Sequence, residues 1–350
     1  MNWRLQRLPS ANPTAALLAS VAACAAALLL AAGIAAIAGF NPLALLGQVL
    51  SLVLGTRFGL EDFGLLLTPL ILTGLSVIIM RRMGLWNIGA EGQFYAGAVG
   101  AAAIGLFIDG PPAVMLVVMF FGGAFSGALW IAIPALARAY AGVNELITTL
   151  LLNFVALLLV YYLGTGPWRD RGAGTLGSTP RIPYEMREFW GIVHWGLPIA
   201  VAMTFLVAGL LTFTRWGYEV RISGANPENA QYAGIPVRRR ILSVMFAAGA
   251  ISGIAGMLEI AGTVHRLQGG ISNNFGYLGI IVAVLAGSSC LGVLATAGLF
   301  AFILSAGIVL QTQGLTTSAV VALTGLILLF NAIGQEFARY RVLRAKGGDT

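Results

Sequence analysis

Ten apolar stretches of about 17 to 25 residues leave this chain few folds, because each has the length an α-helix needs to cross the hydrocarbon core of a bilayer. They lie near 15–39, 64–81, 87–108, 113–136, 144–163, 195–214, 239–262, 275–291, 293–311 and 317–335. Only 9% of the 350 residues are Asp, Glu, Lys or Arg, well short of the quarter or so found in soluble domains. So few charges cannot cover a water-soluble surface of this size, and the mean hydropathy of +0.89 agrees. The 46 glycines carry no three-residue period, which excludes collagen. In a membrane bundle, small residues let helix backbones approach closely. The expected fold is an all-α polytopic membrane protein of about ten transmembrane helices, one domain over 1–350.

The basic residues orient the bundle. With the N-terminus in the cytoplasm, 14 of the 20 fall inside: Arg4, Arg7, Arg81, Arg82, Arg138, Arg215, Arg221, Arg238, Arg239, Arg240, Arg339, Arg341, Arg344 and Lys346. Arg57, Arg169, Arg171, Arg181, Arg187 and Arg266 fall outside. This is the positive-inside bias, and an even span count keeps both termini cytoplasmic. Topology thus explains the net charge of +7 without nucleic acid. The first run exceeds a signal-peptide core of about 7–15 residues and reads as a retained helix. Residues 40–63 read as an outside stretch with room for a short interfacial helix. The largest extracytoplasmic loop is 164–194, and the largest cytoplasmic one is 215–238. Gly287, Ser288, Ser289 and Gly292 divide the eighth and ninth runs only weakly, so these can be short, broken or re-entrant. Cys24 and Cys290 read as small hydrophobes.

Within the cytoplasmic loop, residues 225–235 spell a helix of about two turns. Asn226 is a natural N-cap, Pro227 suits the first helical position, and Glu228 suits the dipole in the first turn. Gly234 and Pro236 stop the helix. Ala230, Ala233 and Gly234 give it small surfaces and Tyr232 an anchor. Residues alone leave open whether it is an ordinary interfacial helix or a docking element. Arg238, Arg239 and Arg240 read as positive-inside anchors.

A second polar cluster opens the third span: Gly84-Leu85-Trp86-Asn87-Ile88-Gly89-Ala90-Glu91-Gly92-Gln93-Phe94. Spacing places Asn87 and Glu91 on one helix face. A carboxylate here must face protein or a water-filled path, so Glu91 either bonds a neighbouring helix or serves a gate, with Gln93 beside it. Asn144 and Glu145 open the fifth span, and Asn153 follows on it. Glu145 suits a helix N-terminus. Glu259 lies late in the seventh span, where it can anchor a helix or bond a solute hydroxyl. Asn273, Asn274, Phe275 and Tyr277 offer amides and rings of the kind a solute site uses. His194 and His265 have no metal-ligand spacing.

Three of these segments carry a family resemblance. "NIGAEGQ" at 87–93 resembles a signature of the permease subunits of nucleoside-type and simple-sugar-type ABC importers, within the branched-chain amino acid/ribose/nucleoside permease family. The "G-x-N-E" start at 142–145 and the run Ile281-Val282-Ala283-Val284-Leu285-Ala286-Gly287 are similar to the same family, and the likeness spans nearly the whole chain. It implies that the 225–235 helix is a coupling helix, with Asn226, Pro227, Glu228, Ala230, Tyr232 and Gly234 facing an ATP-binding subunit. It makes Asn87, Glu91, Gln93, Asn144, Glu145, Asn153, Glu259, Asn273, Asn274, Phe275 and Tyr277 candidates for translocation or gating. The implied assembly has an ATP-binding subunit or fused pair of ATP-binding domains, a second permease of a different sequence, and an extracytoplasmic binding protein, in a bacterial cell membrane. ATP and Mg2+ would be held by partner chains and no cofactor by this one. The sequence has no phosphate-binding loop and is not the ATPase. Nucleosides are the first substrate class that the resemblance implies, simple sugars such as ribose or galactose the second. An ion-coupled secondary transporter is the alternative class, and it would need a midplane ion site that no Asp or Arg cluster supplies.

Overall fold

The computed structural model describes residues 3–7, 13–37, 39–172, 177–287 and 289–316, scattered residues between 318 and 337, and 340–344. Two compact units are distinguished, 1–59 with 303–350, and 60–302. In the first, β1 (Trp3–Arg7) precedes α1 (Pro13–Ile37) and α2 (Pro42–Val53). Asn41 caps α2 by accepting from the backbone N–H groups of Leu43 and Ala44, with Pro42 at the first helical position. The 40–63 stretch is therefore mostly helical, because its Leu-rich segment has a proper start. Ala25–Ile37 and Pro42–Val53 meet at a bend of 118°. β1 pairs antiparallel with β4 (Tyr340–Arg344), Arg7 opposite Tyr340. The all-α expectation is corrected here: two segments too polar for lipid satisfy their backbone groups on each other.

The other elements are α3 (Arg57–Arg81), α4 (Ala90–Phe107), α5 (Pro112–Trp130), α6 (Ala132–Ala141), α7 (Glu145–Thr165), β2 (Glu188–Trp190), β3 (Val193–His194), α8 (Gly196–Phe213), α9 (Arg215–Ala225), α10 (Pro227–Tyr232), α11 (Val237–Glu259), a π-helical turn Ile260–Val264, α12 (Phe275–Leu285) and α13 (Cys290–Thr312). Among the described residues, six helices are long and apolar enough to cross a membrane: α3, α5 continued by α6, α7, α8, α11 with its π turn, and α13. The expected third span survives as α4, a helix that the protein surrounds. Its polar start at Glu91 and Gln93 is tolerated because both side chains are buried in protein rather than lipid. The expected eighth span shrinks to the 11-residue α12, about 16 Å long and too short to cross. The tenth, 317–335, lies largely outside the described residues. Pro134 accounts for the break between α5 and α6, since its ring excludes the carbonyl four residues earlier.

Glycine brings α4, α5 and α11 backbone to backbone at the centre of the second unit. A Cβ on Gly97 would collide with the Gly253 backbone, and one on Gly127 with the Gly249 carbonyl. The 164–194 loop folds down over the chain after α11. Thr179 and Leu267 exchange hydrogen bonds, the Ile182 N–H donates to the His265 carbonyl, and the Met186 N–H to that of Ala261. β2 and β3 close this loop as a small hairpin.

Candidate functional site

After α3 the chain reverses at Gly84, whose φ of +72° suits glycine, and runs extended through Asn87 before α4 begins. Asn87 therefore lies outside the helix, and its expected sharing of a face with Glu91 is corrected. It pairs with Gln93 instead. Asn87 Nδ2 donates to Gln93 Oε1 at 2.9 Å, and Gln93 Nε2 returns a bond to Asn87 Oδ1 at 2.8 Å. Asn87 Nδ2 also reaches Ser76 Oγ at 2.7 Å, and that hydroxyl donates to the Ala248 carbonyl at 2.8 Å. A closed amide pair of this kind joins α3, α4 and α11 and leaves neither amide stranded.

Glu91 turns to α12. Its Oε2 accepts the Gly276 N–H at 2.8 Å, and the Tyr277 N–H also bonds the carboxylate. Asn274, at the N-cap position, has φ +63° and makes no side-chain cap. Glu91 thus caps α12 from a different helix, and its charge meets the positive end of the helix dipole. Thr73 Oγ1 donates to the Phe275 carbonyl at 3.0 Å, fixing the same terminus from α3. Asn153 completes the junction. It accepts the Gly92 N–H at 2.9 Å, donates to the Ile88 carbonyl at 2.8 Å and reaches the Tyr277 hydroxyl at 3.3 Å. Phe275 is buried against Phe94, with ring centroids 6.4 Å apart.

Other expected residues lie elsewhere. Asn144 is exposed and caps α7 by accepting the Leu146 N–H at 2.9 Å. Glu145 is buried; it pairs with Arg138 at 3.2 Å and accepts the Trp86 N–H at 3.4 Å, fastening the 84–89 turn to α6 and α7. Glu259 is buried beside Thr263 of the π turn, apart from the Glu91 junction. Asn273 and Asn274 are exposed with φ of +45° and +63°, a backbone region that asparagine tolerates better than most residues. Among the described residues, no group of His, Cys, Asp and Glu could hold a metal ion.

The cytoplasmic-loop candidates form a separate group. α10 is six residues long, and Asn226 Oδ1 accepts from the N–H groups of Glu228 and Asn229, both at 3.0 Å. Gly234 ends the segment with φ +78°. Pro227, Glu228 and Gly234 are exposed, and Tyr232 is 91% exposed. Ala230 is fully buried, so it packs α10 onto its own chain instead of presenting a surface. Behind α10 lies an open cleft of about 500 Å3 lined by Tyr140, Gln231 and residues 234–239.

Sequence reasoning missed α9 and what secures it. Glu219 is buried and pairs with Arg215 at 2.8 Å and Arg240 at 2.7 Å, while Trp216 Nε1 donates to Ser243 at 2.9 Å. Arg240 is thus an ion-pair partner as well as a topological charge. Gly224 packs directly on the Arg82–Met83 backbone, so the α9–α10 segment touches the turn that leads into Asn87. The Glu219–Arg240 signal was present as opposite charges flanking the loop, but only the fold pairs residues so distant in sequence. Ser76 and Thr73 carried no signal within an apolar run.

A bundle of long apolar helices with a buried polar junction and a short capped helix on its surface defines a multi-pass membrane protein. The family described as "Branched-chain amino acid transport system / permease component" matches residues 59–332, and the chain belongs to it. It is an ABC transporter permease. The glucose ABC transporter permease protein TsgB13 of Haloferax volcanii is 34% identical over 327 residues, 89% of this chain and 86% of that relative. The guanosine ABC transporter permease protein NupP of Bacillus subtilis is 33% identical over 237 residues, 66% of this chain and 68% of its own. The nucleoside ABC transporter permease protein NupB of Lactococcus lactis is 29% identical over 308 residues, 84% and 85% respectively.

Proposed function

We propose that this chain is the membrane-embedded subunit of a nucleoside importer that works by alternating access. ATP and Mg2+ are held, and ATP is hydrolysed, on partner chains. The observation that carries the reading is α10: a capped, solvent-facing helix whose one buried side chain fixes it to the bundle, leaving Pro227, Glu228 and Tyr232 to meet an ATP-binding subunit. Gly224 passes its movement to the 82–89 turn and so toward the Glu91 junction. The partners are an ATP-binding subunit or fused pair, a second permease and an extracytoplasmic binding protein, in a bacterial cell membrane. Both termini on the cytoplasmic side remain the proposed topology. The β1–β4 pairing supports it by placing residues near both ends side by side.

The guanosine and nucleoside relatives support nucleosides, and the glucose relative supports a second reading, a simple sugar. Both solutes carry sugar hydroxyls, which suit the exposed amides of Asn273 and Asn274. Uptake into liposomes containing the whole complex and its binding protein tests this, with labelled guanosine and glucose offered in competition. ATP-dependent guanosine uptake supports the first reading. Glucose uptake alone replaces the substrate, and uptake driven by an ion gradient without ATP overturns the ABC mechanism.

A further inference from the structure

Where α8 begins, four large apolar side chains stand together in the open: Phe189, Trp190, Ile192 and Trp195, each between 41% and 53% exposed. Phe189 and Trp195 touch edge to face at 5.2 Å. The opposite side of the β2–β3 hairpin is locked into protein. Val193 fills the space left by Gly64, the His194 ring lies over Gly262, and Glu61 accepts the Ile192 N–H at 3.4 Å. The aromatic row is therefore held outward by buried contacts and cannot fold in.

Its neighbours say what covers it. α8 is a membrane-spanning helix whose exposed positions, Ala202, Phe205, Leu206, Leu210 and Phe213, follow helical spacing. Trp195 lies two turns before Ala202 on the same stripe. The 18 residues of α8 extend about 27 Å, close to the hydrocarbon thickness, so the residues just before Gly196 fall at headgroup level. Exposed Arg187 and Glu188 flank the row, giving the apolar-plus-charged edge that suits the interface.

We propose that the 188–194 hairpin is a membrane-interface anchor, with Phe189, Trp190, Ile192 and Trp195 seated among lipid headgroups and upper acyl chains beside α8. It fastens the 164–194 loop to the bilayer and leaves the rest of that loop to water.

The test places a nitroxide at Ile192→Cys or Phe189→Cys in the full chain, with Cys24→Ala and Cys290→Ala, assembled with its partner subunits in nanodiscs. Collisions with oxygen are compared with those of a water-soluble nickel chelate. Arg181→Cys serves as the aqueous reference and Phe205→Cys as the lipid reference. An oxygen-to-nickel preference resembling that at 205 is expected. A preference equal to that at 181 overturns the proposal, as does shielding that appears only when the binding protein is added, which would assign the row to that partner. A cysteine-independent measurement uses brominated lipids: Trp190→Phe should reduce the lipid-quenched share of the intrinsic fluorescence, and an unchanged share overturns the proposal.

Discussion

Acidification should loosen the β2–β3 hairpin from its seat, with His194 as the responding group. Burial, with a smaller contribution from the charge of His265, pushes the His194 pKa down from 6.5 to about 4. Nδ1 accepts the Gly196 N–H at 3.0 Å and Nε2 lies 3.4 Å from Thr263 Oγ1, an arrangement for the neutral ring. A proton on Nδ1 would set donor against donor. In the open hairpin the ring returns to its ordinary pKa, so between pH 6.5 and about 4 the open form binds more protons. Docking free energy is therefore fully present above 6.5 and lost as pH falls. Applying 1.36 kcal/mol per unit, the loss relative to pH 7.5 is about 1.3 kcal/mol at pH 5.5 and about 2.5 kcal/mol at pH 4.5. Amide exchange of residues 188–196, corrected for the intrinsic pH dependence, reads this opening directly. His194→Asn retains an acceptor for Gly196 but leaves a gap beside Gly262, so it should weaken docking by about 1–3 kcal/mol at every pH and flatten the slope. His265, whose pKa burial also lowers, contributes a residual slope of the same sign. Equal slopes in the wild type and His194→Asn would refute the reasoning.

Asn226→Ala removes the α10 cap at a cost of about 1 kcal/mol, so binding-protein-stimulated ATP hydrolysis should fall while the melting temperature of the purified permease holds. Asn226→Asp retains the acceptor and should restore the activity. Glu91→Leu strands the Gly276 and Tyr277 N–H groups in the protein interior at about 1–3 kcal/mol each. Thermal unfolding in detergent should show this loss, with Glu91→Gln closer to the wild type because one acceptor remains. Glu219→Leu should release α9 at a cost of about 2 kcal/mol, below the usual 3–5 because Arg240 retains some hydration, measured as faster amide exchange over 215–225.

Much of the bundle was legible because lipid demands long apolar helices, and α7, α8, α11 and α13 follow their hydropathy closely. Local chemistry was equally readable: Asn226, Pro227 and Asn144 occupy the capping positions their types favour. Reading failed where tertiary contact overrides local pattern. Spacing put Asn87 and Glu91 on one face, yet Asn87, paired with Gln93, lies outside the helix, which begins at Ala90. A span was expected at 275–291; the helix does begin at Phe275 but ends at Leu285, just before Gly287 with its φ of +65°. Ala230 was expected on the docking surface, and no single sequence shows which side of a six-residue helix faces inward.

The glycine contacts among α4, α5 and α11 constrain motion as well as packing. Where backbones meet directly, sliding one helix past another drives carbonyls into Cα atoms, with no side-chain rotamers to absorb the step. The three helices form a chassis, and a transport cycle must be articulated around it. The 84–89 turn, attached through the Glu145 side chain, is a jointed part. Distances within the chassis should hold constant through the cycle, while those from it to the 84–89 turn change.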